Sequence, residues 1–189
     1  MKIISYIRRN KIKSAVVTIL LIAYYFCLPK QLFTDPTATV IDSRDGELLG
    51  AIIAKDGQWR FPYNDSIPEK FKECLILFED EYFYKHPGFN PISIYKALRD
   101  NISSGDIKRG GSTLTQQTIR LSRKGKSRTY TEKIKEIILA TRLELRYSKD
   151  NILAYYSSNA PFGGNVVGID AASWRYFNRN ANDLSWAES

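Results

Sequence analysis

Cysteine is scarce in this chain of 189 residues. The two present, Cys27 in an apolar segment and Cys74 among apolar helical positions, are expected as free, inert thiols and not as a disulfide framework. Acids are also in deficit: 20 Asp+Glu stand against 28 Lys+Arg, a formal net charge of +8. That balance suits an anionic partner, whether nucleic acid, an anionic membrane surface or a phosphorylated substrate. No motif that reads nucleic acid occurs, so nucleic acid is set aside. Low-complexity sequence is absent too. With 43% apolar residues, the chain has the composition of a globular protein and the length for one domain with a real core.

The N-terminal stretch carries Lys2, Arg8, Arg9, Lys11 and Lys13 with no acid among them, ahead of an apolar run from Ala15 to Leu28. As a helix that run would rise only about 21 Å, short of a hydrocarbon core of about 30 Å. Extension from Ser14 to Phe33, with Lys30 snorkelling, gives roughly the full span. No small-x-small cleavage site follows. The expected organisation is a cytoplasmic basic tail over 1–13 and an uncleaved transmembrane signal-anchor over 14–33. A linker and β-hairpin over 34–65 and one domain over 66–189 then lie outside the cytoplasm. The alternative is a cleaved signal peptide.

Local signals divide the rest. Thr34 to Thr37, with Pro36, reads as a linker. Val40-Ile41 and Leu48 to Ile53 are β-rich, and Asp45-Gly46 is a type I′ turn signal, so a hairpin is expected. Ser66 can cap a helix with Pro68 in its first turn. Phe71, Cys74, Leu75 and Phe78 then fall at i, i+3, i+4, i+7, one buried stripe. Asn90 and Pro91 open a helix to about Asn101, amphipathic through Ile92, Ile94, Tyr95, Leu98 and Ile102. That pattern fits a helix on a bilayer surface as well as one packed on a core. Thr113-x-x-Gln116 is a capping box, and Thr129-x-x-Glu132 is another. The second starts the longest soluble helix, with Ile134, Ile137, Ile138, Thr141 and Leu145 on one face. Ser148 caps a helix that includes Ile152, Leu153 and Tyr156.

Two blocks carry chemistry. Phe78 to Gly88 reads Phe-Glu-Asp-Glu-Tyr-Phe-Tyr-Lys-His-Pro-Gly and sets Glu79-Asp80 at the end of an apolar helix. A glutamate following directly on a core-facing Phe can shed water and work as a general base. The plain alternative is a solvated acidic helix end. Lys108 to Arg120 reads Lys-Arg-Gly-Gly-Ser-Thr-Leu-Thr-Gln-Gln-Thr-Ile-Arg. The capped helix starting there turns its N-terminal N–H groups toward any anion in a cleft. Basic density then peaks through Arg120, Arg123, Lys124, Lys126, Arg128, Lys133 and Lys135. Such runs are usually solvated faces, but this one flanks the Gln-Gln helix.

Together the blocks resemble the membrane-bound peptidoglycan glycosyltransferases, the transglycosylase domain (glycosyltransferase family 51) of class A penicillin-binding proteins. The pattern Glu-Asp-x-x-Phe-x-x-His-x-Gly falls on Glu79, Asp80, Phe83, His86 and Gly88. The pattern Gly-x-Ser-Thr-x-x-Gln-Gln falls on Gly110, Ser112, Thr113, Gln116 and Gln117. Flanking segments, Asp56 to Pro62 and Asn159 to Gly164 among them, look like the penicillin-binding protein 1C subgroup, and the likeness covers about residues 39 to 189. The resemblance implies a mainly α, lysozyme-like glycosyltransferase fold with a short N-terminal β-hairpin and one N-terminal transmembrane helix. It implies polymerisation of lipid II at the bacterial inner membrane, inverting the sugar configuration, with Glu79 as general base. Arg120, Arg128 and Lys133 would hold the pyrophosphate with Mg²⁺. Ser112, Thr113, Gln116 and Gln117 would shape the sugar and phosphate site, with Glu136 orienting a neighbouring cation. Asp80, Phe83, His86 and Gly88 complete the motif. Lipid II, the growing glycan strand, the membrane, and cell-wall synthesis or division proteins are the implied partners.

The chain departs from that pattern at four places, the mildest being Arg120 where the family usually has Lys. Glu132 replaces an Arg, Ala154 replaces the second acid, and Ser158 replaces an Asn. Asp150 is the acid nearest to standing in for the second. These departures support an alternative, a non-catalytic membrane-anchored module that binds cell-wall precursor or a division partner. Ser185-x-x-Glu188 announces a helix, yet Ser189 is the last residue. The expectation is an N-terminal fragment of low or no activity by itself, whose relatives continue into a transpeptidase domain. The Ser-x-x-Lys motif of that domain is absent here.

Overall fold

The computed structural model describes residues 10–45, 47–104, 110–124, 126 and 129–189. Gly46, Lys108, Arg109, Arg128 and the tail's Lys2, Arg8 and Arg9 lie outside the described residues. The chain divides into two units, Met1–Leu32 and Phe33–Ser189.

Among the described residues the first unit holds one helix, α1, Lys11–Phe26, with no buried residue. It ends well before Phe33. Pro29 disfavours helical backbone at the residue before it, and the cap N–H of Cys27 turns back to the carbonyl of Tyr24. Among the described residues no helix is long and apolar enough to cross a membrane. The expected continuous helix over 14–33 is therefore not formed.

The second unit is mainly α with two small sheets. β1 (Thr39–Asp42) and β2 (Leu48–Ile52) make the expected antiparallel hairpin, irregular between Ile41 and Asp42. The Ser43 N–H closes the loop onto the Glu47 carbonyl at 2.7 Å, and Ser43 Oγ accepts from Asp45 and Glu47 N–H. Sequence pattern did not reveal the second sheet, in which β3 (Trp59–Arg60) runs parallel to β4 (Val166–Val167). Val166, Ala171 and Ala172 form a buried cluster there, covered by Trp59, Phe61 and Phe162.

Among the described residues six α-helices complete the unit, α2 (Glu69–Glu79), α3 (Pro91–Ser104), α4 (Leu114–Ser122), α5 (Tyr130–Glu144), α6 (Lys149–Asn159) and α7 (Ile169–Phe177), with two short 3-10 turns at Phe83–Lys85 and Ala181–Asp183. The starts of α3 to α6 follow side-chain capping, whereas α2 and α7 have no side-chain cap. Asn90 Oδ1 accepts from the N–H of Ile92 and Ser93. Thr113, Thr129 and Ser148 cap α4, α5 and α6 by accepting from Gln116, Glu132 and Asn151 N–H. Each such cap is worth about 1 kcal/mol. Ser66 caps nothing. α2 begins at Glu69 with Pro68 before it, and the Ser66 N–H instead donates to Asn64 Oδ1. Helix α4 packs against both α5 and α6.

Two expected faces are corrected. Phe71 and Leu75 of α2 are buried, with Phe71 on Phe162 at 6.0 Å, but Phe78 is 89% exposed. The core lies under the first half of α2, and its last turn runs out to the edge of a cleft. On α5 the buried residues are Glu136, Leu139, Ala140 and Leu143. Ile134, Ile138 and Leu145 face outward. The inward face carries a paired acid and an alanine, so hydrophobicity alone points the wrong way. On α3, Ala97 is buried while Ile92, Tyr95 and Ile102 are exposed. Both cysteines are free, Cys27 exposed and Cys74 half-buried.

Candidate active site

A cleft of 1130 Å³ opens where α2 ends, bounded by α3 and the start of α4. Glu79, Gln117, Ser112 and Arg120 line it, with Lys85 and Lys96 on its walls. Apolar side chains line it as well, Leu77, Phe78, Phe89 and Ile92.

The adjacent acids have different tasks. Asp80 is the cap residue of α2 and is buried. Its Oδ2 accepts from the Leu114 N–H at 3.0 Å, an otherwise unpaired donor in the first turn of α4. Its carboxylate also receives His86 Nε2, at 3.0 and 3.1 Å. The Gly88 N–H donates to His86 Nδ1 at 3.3 Å. Nδ1 therefore accepts, and Nε2 carries the hydrogen that Asp80 receives. Phe83, fully buried, packs edge-on to His86. Lys149 lies over the Phe83 ring and donates to the His86 carbonyl at 2.7 Å. Lys149 also pairs with Glu144, which accepts from Thr115 Oγ1 at 2.6 Å. Asp80, Phe83, His86 and Gly88 thus fasten the loop after α2 to the start of α4.

Glu79 is half-buried on the cleft side. Gln117 Nε2 donates to its Oε2 at 2.8 Å. Tyr156 OH donates to Gln117 Oε1 at 3.5 Å, which turns the amide nitrogen toward the acid. Burial, then the Glu79 charge, push the Tyr156 phenol up to about 12. Tyr156 is the neighbour that sequence reasoning did not single out. Its one signal was its place on the helix capped by Ser148, one turn beyond Ile152 and Leu153.

The other motif residues separate by depth. Thr113 and Gln116 are buried. Thr113 Oγ1 donates to the Gly88 carbonyl at 2.7 Å, and Gln116 Nε2 to the same oxygen at 3.4 Å. They brace the cleft from behind, and Gln117 is the glutamine that meets the acid. Ser112 Oγ accepts from Lys133 Nζ at 2.7 Å and from Arg120 Nη2 at 3.1 Å. Lys133 also donates to Gln116 Oε1 at 2.6 Å. Glu136 holds Arg120 by two parallel bonds, 2.9 and 3.0 Å. Burial alone would raise the Glu136 carboxyl, but the Arg120 hydrogen bonds and charge outweigh it and hold it below the usual range. The same bonds raise the Arg120 guanidinium against its burial. A basic recess of 230 Å³ adjoins these groups, lined also by Arg123, Lys126 and Glu132.

The departures are accommodated. Glu132 bridges Arg123 at 2.7 Å and Lys135 at 2.8 Å. Those hydrogen bonds, Lys135's first, pull its carboxyl down to about 2. Ala154 is buried. Asp150 is exposed and paired with Tyr84 and Lys72, so it does not face the cleft.

A half-buried carboxylate steered by an amide, with fixed cations on the same cleft, can take a proton from a hydroxyl while an anion leaves. Comparison with known proteins agrees in kind. Residues 45–189 match the family model described as Transglycosylase. The chain belongs to the transglycosylase family. It is 40% identical over 153 residues to penicillin-binding protein 1C of Escherichia coli, covering 80% of this chain and 20% of that one. It is 33% identical over 173 residues to penicillin-binding protein 1F of Bacillus subtilis, covering 91% and 24%. It is 39% identical over 121 residues to the monofunctional glycosyltransferase of Staphylococcus aureus, covering 64% and 45%. The chain thus spans a fifth to under half of the length of these relatives.

Proposed function

We propose that this chain carries the glycan-polymerising site of a peptidoglycan glycosyltransferase with a lysozyme-like fold, acting on lipid II. The observation that carries the reading is the Glu79 carboxylate, held at 2.8 Å by Gln117 on a cleft that Arg120 also lines. The 4-hydroxyl of an N-acetylglucosamine on lipid II attacks the anomeric carbon of the growing strand. Glu79 takes the hydroxyl proton, the new glycosidic bond forms with inversion, and undecaprenyl pyrophosphate leaves with the electron pair of the broken bond. Arg120 and Lys133 stabilise that pyrophosphate as its charge develops. Ser112 accepts from both cations and keeps its own hydrogen for a phosphate oxygen. Arg128 is assigned to the same anion by family pattern alone. The exposed apolar side chains on the cleft, Leu77, Phe78 and Ile92, suit a substrate with a lipid tail.

Mg²⁺ would travel with the pyrophosphate. Among the described residues no group of three or more His, Cys, Asp or Glu stands together as a cage for it, and Glu136 is taken by Arg120. The N-terminal segment is proposed as a single-pass anchor in the bacterial plasma membrane, its basic tail cytoplasmic and the cleft on the outer side.

The test is lipid II polymerisation by the full-length parent protein carrying Glu79→Gln. Activity should fall by about 10²–10⁴-fold, the usual contribution of a general base, with binding of lipid II retained. Undiminished turnover would sink the assignment. Ala154, Ser158 and Glu132 favour a second reading, a non-enzymatic module that binds cell-wall precursor or a division protein. Lipid II binding without turnover in the unaltered parent would establish that reading instead.

A further inference from the structure

A second cavity, of 480 Å³, shares no lining residue with the Glu79 cleft. It lies between the hairpin, the segment after β3, helix α7 and the loop that follows α7. One wall is aromatic. The Trp174 indole, half-buried, is braced by Trp59 at 5.5 Å and Phe61 at 5.9 Å. Planar polar groups also line it: Asn64, Asp170, Asn178 and Asn180. Asn64 Oδ1 already accepts from the Ser66 N–H, and Asn180 Oδ1 from the Asn182 N–H and Nδ2. Among the described residues, Asp170 takes one side-chain hydrogen bond, from Asn64 Nδ2 at 3.3 Å. Its other carboxylate positions are left for a ligand. Burial raises the Asp170 carboxyl and the Asn64 bond offsets this only in part. Asn64 is itself fixed, its backbone bonded to Ser158 Oγ at 3.4 and 3.5 Å. Ser158 is one of the residues by which this chain departs from the family pattern.

Charge narrows the ligand. Asp42, Glu47 and Asp170 line the cavity against Arg179 alone, and Arg179 pairs with Glu188 at 3.3 Å. A phosphate or carboxylate would meet net negative charge. A flat apolar wall together with amides and a carboxylate matches a pyranose ring. The C–H face lies on the indole, and neighbouring hydroxyls donate to carboxylate and amide oxygens while amide nitrogens donate back. The volume is that of an ordinary small-ligand site.

We infer that this cavity is an accessory site for a neutral glycan segment, separate from the cleft where bonds are made. The identity of the glycan as β-1,4-linked N-acetylated sugar rests on the polymerase reading; the pocket itself does not. Such a site would hold strand already made while the Glu79 cleft works on the next sugar.

The test uses the full chain in detergent micelles, titrated with N-acetylglucosamine tetrasaccharide and followed by amide chemical shifts. Shifts should saturate at residues 42, 64, 170 and 178–181. Asp170→Asn and Asn64→Ala should each weaken binding at least tenfold, and each variant's fold is checked by its unperturbed spectrum elsewhere. Glu79→Gln should bind as the unaltered chain does, which separates failure of this site from failure of the proposed base. No shift in the pocket, shifts confined to the Glu79 cleft, or affinity untouched by both pocket variants would each overturn the inference.

Discussion

Replacing Gly88 by alanine should unfasten the site from a distance. Gly88 has φ 91°, backbone that a side chain rarely adopts. A Cβ there would stand 2.8 Å from both the carbonyl carbon and oxygen of Ala140, and 3.1 Å from Glu144 Cγ. The strained dihedral costs about 1–3 kcal/mol. Pressing a methyl into a helix backbone, which cannot swing aside as a side chain does, costs about another 1–3 kcal/mol. The expected loss of about 2–6 kcal/mol is a large share of a domain stability of about 5–15 kcal/mol. For a unit of this size it lowers Tm by about 4–24 °C, at about 2–4 °C per kcal/mol. The harm extends to the cleft, because the Gly88 carbonyl is the acceptor shared by Thr113 and Gln116. A loop pushed off α5 takes the start of α4 with it, and Gln117 then loses its line to Glu79. The assay is urea unfolding, with Gly50→Ala as comparator. Gly50 sits in β2 with nothing within 4 Å of a built Cβ, so that change should be neutral or stabilising by about 0.5–1 kcal/mol. Equal midpoints for the two variants would refute the reasoning.

Three further outcomes follow from the titrating groups. Glu136 has a depressed folded pKa, so its stabilisation is present above the unfolded value of 4.5 and is lost as pH falls through the folded one. Glu136→Gln should cost about 1–3 kcal/mol at pH 7 and flatten the acid limb of the stability profile, seen by urea midpoints against pH. Asp170 has the opposite sign. Its folded pKa is raised, so stability is full below 3.8 and declines as pH rises through the folded value. Asp170→Asn should therefore match the unaltered chain in acid and exceed it at neutral pH; a deficit at pH 7 would contradict the burial argument. Tyr156 titrates at about 12 partly because Glu79 is charged. Glu79→Gln should bring that step down in a tyrosinate absorbance titration, and an unmoved step would mean the two groups do not sense each other.

Local rules carried the sequence reading where the physics is local. Asn90, Thr113, Thr129 and Ser148 each needed only a side-chain acceptor ahead of bare N–H groups, and each is found capping. Faces were read less well, because hydrophobicity stands in for burial only where the buried groups are apolar. The inward face of α5 holds Glu136, acceptable there because Arg120 meets it with two bonds, and Ala140, whose small side chain gives little hydrophobic signal although it is fully buried. Phe78 fits a stripe that the core does not extend far enough to cover. The parallel pairing of Trp59–Arg60 with Val166–Val167 joins segments far apart in sequence and leaves no mark in either. Motif spacing located the cleft by resemblance. It could not show that Gln116 braces from behind while Gln117 faces forward, since a helix turns neighbouring residues about 100° apart.

The adjacent pair Glu79-Asp80 shows how one helix end can separate two roles. If α2 ran on regularly, the two side chains would leave the helix about 100° apart, and Asp80 would not reach the start of α4. The helix stops instead, and Asp80 leaves helical geometry at φ −161°. Its carboxylate turns inward to Leu114 N–H and His86, while Glu79, the last helical residue, keeps its side chain toward the cleft. The inward acid fixes the start of α4, and the start of α4 sets where Gln117 stands, three residues on from Leu114. Gln117 in turn aims the outward acid. Position 80 therefore governs position 79 through the helix and not through their shared peptide bond. Asp80→Asn keeps an acceptor for Leu114 and should preserve more of the cleft than Asp80→Ala, although both remove the same charge from beside Glu79. A purely electrostatic coupling between neighbours would make those two changes equivalent.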